Sequence, residues 1–196
     1  MRSSSRHPSA SGIENDDRVF SAGEGGVPWA STSSGRCAAT FMKSRGDQYM
    51  DIIVMQKDHP MWRKTAAFAR ECSWRAGPYL AERMEKGAFT ERERVIACVD
   101  GDRVVGFCTF SLKDSLPEDD PRTPFIGFMF VDEAYRGRRL SQRMIARACG
   151  HAAKVGYAAV YIVSGEKGLY EKYGFLNVGD VKTVHGTEEQ LFRCEI

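Results

Sequence analysis

FIGFMFVDEAYRGRRLSQ, residues 125–142, is the stretch from which the fold can be read. Phe125 to Val131 is an aromatic and β-branched run with Pro124 before it and a polar break after it, and it reads as a buried strand. Arg136, Gly137, Arg138 and Arg139 follow the break. Leu140, Met144, Ile145, Ala148, Ala152 and Val155 then recur at helical spacing, with Gly156 placed to close the helix. A helix start presents unpaired backbone N–H groups and the positive end of the helix dipole. Gly137 lets a ligand approach the backbone closely. Three arginines beside that start add charge suited to phosphate. The stretch therefore reads as an anion site for a phosphorylated ligand, at the join of a strand and a helix.

Composition bounds the rest. The chain has 196 residues and 42% hydrophobic content, enough for one packed domain plus an extension. A formal net charge of +2 gives no chain-wide attraction to nucleic acid. No apolar run is long enough to cross a bilayer. Cys37, Cys72, Cys98, Cys108, Cys149 and Cys194 form no CxxC pair, so no metal-ligand spacing is present and no metal is expected. They read as reduced thiols of a cytoplasmic protein. Residues 1–46 are rich in serine and glycine and lack apolar periodicity, too little to offset the entropy of ordering. The division expected is a low-complexity, disordered extension over 1–49 and a globular domain over 50–196. Glu14, Asp16 and Asp17 argue against a transit peptide in the extension, and translation from Met50 stays open as a further reading.

Within the domain, Asp51 to Met55 reads as a strand and Asp58 as the cap of a helix carrying Trp62, Ala66 and Ala69 on one face. Tyr79 to Glu85 suggests a second helix, stopped at Gly87. Trp62 and Trp74 read as core. Arg94 to Val99 and Arg103 to Leu112 flank Asp100-Gly101-Asp102, a hairpin signal. Lys113 to Thr123 is a loop carrying Asp114, Glu118, Asp119 and Asp120, which reads either as solvated surface or as an attraction for a cationic substrate. Tyr157 to Val163 is a further strand, Glu166 to Tyr173 a short helix, and Phe175 to Ile196 two strands turning at His185-Gly186. The order predicts an α/β (α+β) domain with a mixed sheet.

VDEAYRGRRLSQRMI (131–145), followed after one strand by GLYEKYGF (168–175), resembles the GNAT superfamily of acetyl-CoA-dependent N-acyltransferases. The resemblance implies a largely antiparallel sheet flanked by helices, with splayed central strands. It implies that the backbone of Met129, Phe130 and Val131 pairs with pantetheine. The N–H groups of Arg136, Gly137, Arg138, Arg139, Leu140, Ser141 and Gln142 would hold the pyrophosphate. Tyr170 stands where the family often places a general acid, able to help protonate the departing CoA sulfur. The family's loop places glycine, or glycine or alanine, where this chain has Arg139 and Ser141.

The implied reaction is acetyl transfer from acetyl-CoA to a primary amine, on a small molecule or peptide, by direct attack. No cysteine or serine sits in a nucleophile–base arrangement. A non-catalytic acyl-CoA sensor or scaffold is the alternative. The family also forms homodimers often. Neither GxGxxG nor GxxxxGK[ST] follows a predicted strand, so dinucleotide and nucleoside-triphosphate sites find no support. The sequence singles out no general base. Asp119, Asp120 and Asp132 are the acids near in sequence, and His59, His151 and His185 are isolated.

Overall fold

A computed structural model describes residues 50–196. The expected disordered extension, and Cys37 within it, lie outside the described residues. The element order is β1 (Met50–Met55), α1 (Met61–Glu71), α2 (Gly77–Glu85), β2 (Arg94–Asp100), β3 (Arg103–Ser111), β4 (Phe125–Val131), α3 (Leu140–Lys154), β5 (Ala159–Ser164), β6 (Leu176–Lys182) and β7 (Glu188–Glu195). The seven strands form one sheet in the order β1-β2-β3-β4-β5-β7-β6. Every pairing is antiparallel except β4 with β5. This is the mixed, largely antiparallel sheet expected.

The β2–β3 hairpin turns where the Asp-Gly pair predicts, with Asp100 opposite Arg103 and Gly101 at φ 56°. Alternation along the strands then sends side chains to two cores. Helix α3 covers one face, where Leu140, Met144 and Ala148 pack against Ile96, Phe110 and Ile126. Helices α1 and α2 cover the other, where Trp62, Trp74 and Leu80 pack with Val95, Phe107 and Phe130. Both tryptophans are interior, and the Trp62 indole N–H donates to the Met84 carbonyl at 3.3 Å. A third, smaller cluster of Leu116, Phe125, Val163 and Leu191 lies under the acidic loop.

Two local expectations change. Pro60, not Asp58, is the N-cap residue of α1, and His59 Nδ1 accepts the Met61 N–H at 3.1 Å. Proline at the cap moves the helix start on, and the imidazole takes over the orphan donor. Of the helix expected over 166–173, only a 3-10 turn at Glu171–Tyr173 forms. Gly168 at φ 75° breaks the right-handed run before it, and Gly174 at φ 89° ends it.

Candidate active site

Strand β4 carries a bulge. Thr109 pairs with Gly127 and Phe107 with Phe130, so two steps along β3 match three along β4. Phe128 absorbs the extra residue at φ 48°, a conformation a bulky side chain rarely takes. Its ring is held edge-on to Trp74 at 5.9 Å and tilted against Tyr79 at 6.0 Å. Aromatic packing from α1's C-terminal side and α2 thus supports a strained backbone. On its other side β4 meets β5 only at Phe125 and Tyr161, after which no further pairs form. The two parallel strands therefore splay, as the family resemblance implies, and the β5-facing edge of Met129, Phe130 and Val131 has no ladder partner. Met129 and Val131 lean on the α3 core, and Phe130 stacks on Trp74 at 6.4 Å.

Beyond β4, Asp132 caps a 3-10 turn at Glu133–Tyr135 by accepting the Ala134 N–H. Arg136, Gly137, Arg138 and Arg139 are exposed. Gly137 has φ 75°, and Arg139, the residue before α3, sits in the left-handed region at φ 54°. The backbone at Arg139 thus keeps a shape that glycine adopts freely and arginine adopts at a cost. No side chain of Arg139 caps the helix, and its first turn holds no acid. The N–H groups of Leu140, Ser141 and Gln142 consequently point out of an uncapped, electropositive helix end. Arg136 bonds Glu133 at 3.0 Å and reaches the Val131 carbonyl at 3.4 Å. Arg138 lies over the Tyr135 ring at 5.0 Å. Ser141 shares a hydrogen bond with the Tyr173 hydroxyl at 2.9 Å.

Tyr170 is 5% exposed, set among Phe175, Phe192 and Tyr173, with its phenol toward Ser164 at the end of β5. Burial pushes the phenol well above its ordinary pKa, against a smaller opposite pull from the Ser164 hydroxyl. Protonated across the neutral range, it can donate a hydrogen bond to a developing thiolate. Cys108 is pushed up still by burial, away from a reactive thiolate.

The acids near in sequence do not gather at the splay. Asp132 pairs with Arg103 at 3.1 Å. Asp120 is bound to Arg122, which holds its carboxyl below the usual range. Asp119 is exposed. His151 is turned edge-on to Phe110 at 4.9 Å, with its Nε2 at 3.2 Å from the Arg92 carbonyl. The acid that does reach β4 is Asp114. A Cβ on Gly127 would meet its Oδ2 at 2.5 Å. The sequence places Asp114 with Glu118, Asp119 and Asp120 in an acidic loop suited to attract a cationic substrate, and nothing in it singles out Asp114 as a base. The one available sign was a glycine in the middle of an otherwise bulky strand, which marks a close approach. Among the described residues no group of histidine, cysteine and acid side chains could hold a metal ion, and no helix is long and apolar enough to cross a membrane.

The sequence model of the Acetyltransferase (GNAT) family matches residues 55–175. No curated protein matches the chain. Among solved structures, it is similar to an aminoglycoside 6'-acetyltransferase type Ii, with TM-score 0.58 and 18% identity over 74% of this chain and 96% of that one. An aminoglycoside 6'-N-acetyltransferase complexed with coenzyme A aligns with TM-score 0.56 and 15% identity, over 74% and 96%. A GNAT family N-acetyltransferase from Escherichia coli in complex with CoA aligns with TM-score 0.55 and 22% identity, over 74% and 81%. At these identities the likeness is one of fold.

Proposed function

The chain belongs to the acetyltransferase (GNAT) family, and from that premise we propose that it moves an acetyl group from acetyl-CoA to a primary amine by direct attack in a ternary complex. Membership makes it an acyltransferase with acyl-CoA as co-substrate. The observation that carries the finer reading is the single β4–β5 pair, opening toward an exposed, uncapped start of α3. In this reading, the unpaired edge of Met129, Phe130 and Val131 takes the pantetheine amides as a further strand would. The N–H groups of residues 136–142 take the diphosphate. Tyr170 stabilises the leaving thiolate. Residues 50–196 form the acyltransferase domain, and residues 1–49 extend it.

Direct attack is supported by the state of the thiols. Cys108 is buried with its ionisation suppressed, and Cys72 is also shifted up, chiefly by burial. A covalent acyl-enzyme would need an activated thiolate. The test is CoA release from acetyl-CoA by the full-length protein against a polyamine, an aminoglycoside and a lysyl peptide. Amine-dependent release, without an acetylated protein that passes on its acyl group, is the expected result. Absence of release with every amine would contradict the proposal.

A further inference from the structure

The side of β4 facing α1 and α2 holds a polar niche that the acetyl-CoA reading does not use. Its floor is Gly127, two residues past Phe125, where β4 and β5 last pair. Asp114 Oδ2 lies so close above it that any side chain at 127 would displace it. Thr109, opposite Gly127 on β3, is fully buried, and its hydroxyl has no hydrogen-bond partner among the described residues. That hydroxyl lies 3.6 Å from the same Cβ position, so it points into the niche. Glu189 at the start of β7 is 6% exposed; its Oε1 accepts from the Thr187 hydroxyl at 3.0 Å, and its Oε2 has no partner among the described residues. Buried polar groups without partners are uncommon unless something else is meant to meet them.

The loop is built to hold Asp114 there. The Ser115 N–H donates to Asp114 Oδ1 at 2.6 Å, and the Ser115 carbonyl accepts from Val184 at 2.7 Å, tying the loop to the β6–β7 turn. Lys113 Nζ donates to the Glu118 and Asp120 carbonyls at 2.7 and 2.8 Å. Leu116 anchors the next residue but one in the third core cluster. The charged groups acting on Asp114 are Glu189 from β7 and Arg83 from α2. Burial is the main cause that raises its proton affinity, Glu189 adds to it, and the Ser115 hydrogen bonding and Arg83 oppose it.

Resting on the proposed acetyl transfer, we propose that Asp114 is the proton acceptor for the incoming amine, in a niche with Thr109 and Glu189 that selects a cationic primary amine. The ammonium N–H proton passes to Asp114 Oδ2. The freed nitrogen pair bonds the thioester carbonyl carbon, the C–S bond breaks and its electron pair leaves on the CoA sulfur as thiolate, and the second proton on the acylated nitrogen passes to that sulfur or to solvent, giving a neutral amide and free CoA. Solvent then takes the proton from Asp114. A raised carboxyl affinity narrows the gap to the ammonium and makes this transfer less uphill.

The test uses the full-length protein with acetyl-CoA and four probes: n-propylamine, 1,3-diaminopropane, spermidine and kanamycin. Asp114→Asn should lower kcat/KM by about 10²–10⁴-fold with the best probe, with acetyl-CoA affinity unchanged within about twofold. It should also remove the acidic limb of the pH–rate profile. Gly127→Ala, which displaces the carboxylate, should reproduce the loss, whereas Asp119→Asn on the same loop should not.

Folding is checked independently. A carboxyl with a folded-state pKa above its unfolded value stabilises fully below about pH 4 and less as pH rises through the folded value. Asp114→Asn should therefore melt higher than wild type at pH 7, with the gap closing toward pH 4. A folded, acetyl-CoA-binding Asn variant with wild-type turnover and pH profile would overturn this proposal while leaving the acetyl transfer intact. A wild type that releases no CoA with any of the amines would overturn both.

Discussion

The Ser141 hydroxyl and the Tyr173 hydroxyl are hydrogen-bonded at 2.9 Å, across 32 positions of sequence. One belongs to the first turn of α3 and the other to the 3-10 turn before β6, so the two segments that carry the family resemblance meet at one bond. Tyr173→Phe should cost about 0.5–1.5 kcal/mol of stability. Ser141→Ala should cost a similar amount, and the double variant less than the sum, because both remove the same bond. Denaturant melts of the three variants check this; full additivity would show that the contact contributes nothing.

Arg139 holds a left-handed backbone at the entrance of α3. That conformation costs a non-glycine residue about 1–2 kcal/mol. Arg139→Gly should relieve most of it, offset in part by the greater entropy of an unfolded glycine. The expected net change is a stabilisation of up to about 1 kcal/mol, with acetyl-CoA still bound. A clear loss of stability would mean that the arginine side chain carries more than its backbone geometry suggests.

Much of this arrangement was legible from the residues themselves. The run Phe125 to Val131 matches β4 residue for residue, and the Asp-Gly hairpin and the spacing from Leu140 gave β2, β3 and α3 closely. These features are local, set by period and turn chemistry. The bulge at Phe128 was not legible, because nothing in a phenylalanine announces a positive φ; Trp74 and Tyr79, more than 40 positions away, hold it there. The helix expected over 166–173 failed because the apolar pattern outweighed Gly168 in the reading but not in the chain. Asp114 was missed for the same kind of reason. Its place depends on how a loop folds back over Gly127, and one-dimensional spacing does not record that.

Tyr170→Phe should leave acetyl-CoA affinity within about threefold and lower kcat by about 10²–10⁴-fold. Burial raises the phenol's pKa above its ordinary value. The donor form is therefore present throughout the neutral and mildly alkaline range, and Tyr170 should add no falling limb to the rate below about pH 10. Steady-state rates from pH 6 to 9.5 check both statements. Wild-type kcat in the phenylalanine variant would reduce Tyr170 to packing.

Arg136→Ala should weaken CoA binding more than binding of pantetheine, which lacks the phosphates. The guanidinium also bonds Glu133 and reaches the Val131 carbonyl, so some common loss to both ligands is expected. The excess loss for CoA measures the charge acting on phosphate. Calorimetry with the two ligands gives the comparison, and equal losses would contradict a phosphate role.

Acetyl-CoA held by the β4 edge and the α3 entrance is tested most directly by following backbone amide resonances while acetyl-CoA is titrated into the full-length protein. Saturable shifts should be largest for Met129 to Val131 and for Gly137 to Gln142. No saturation, or saturation with those amides unmoved and others shifted, would contradict it.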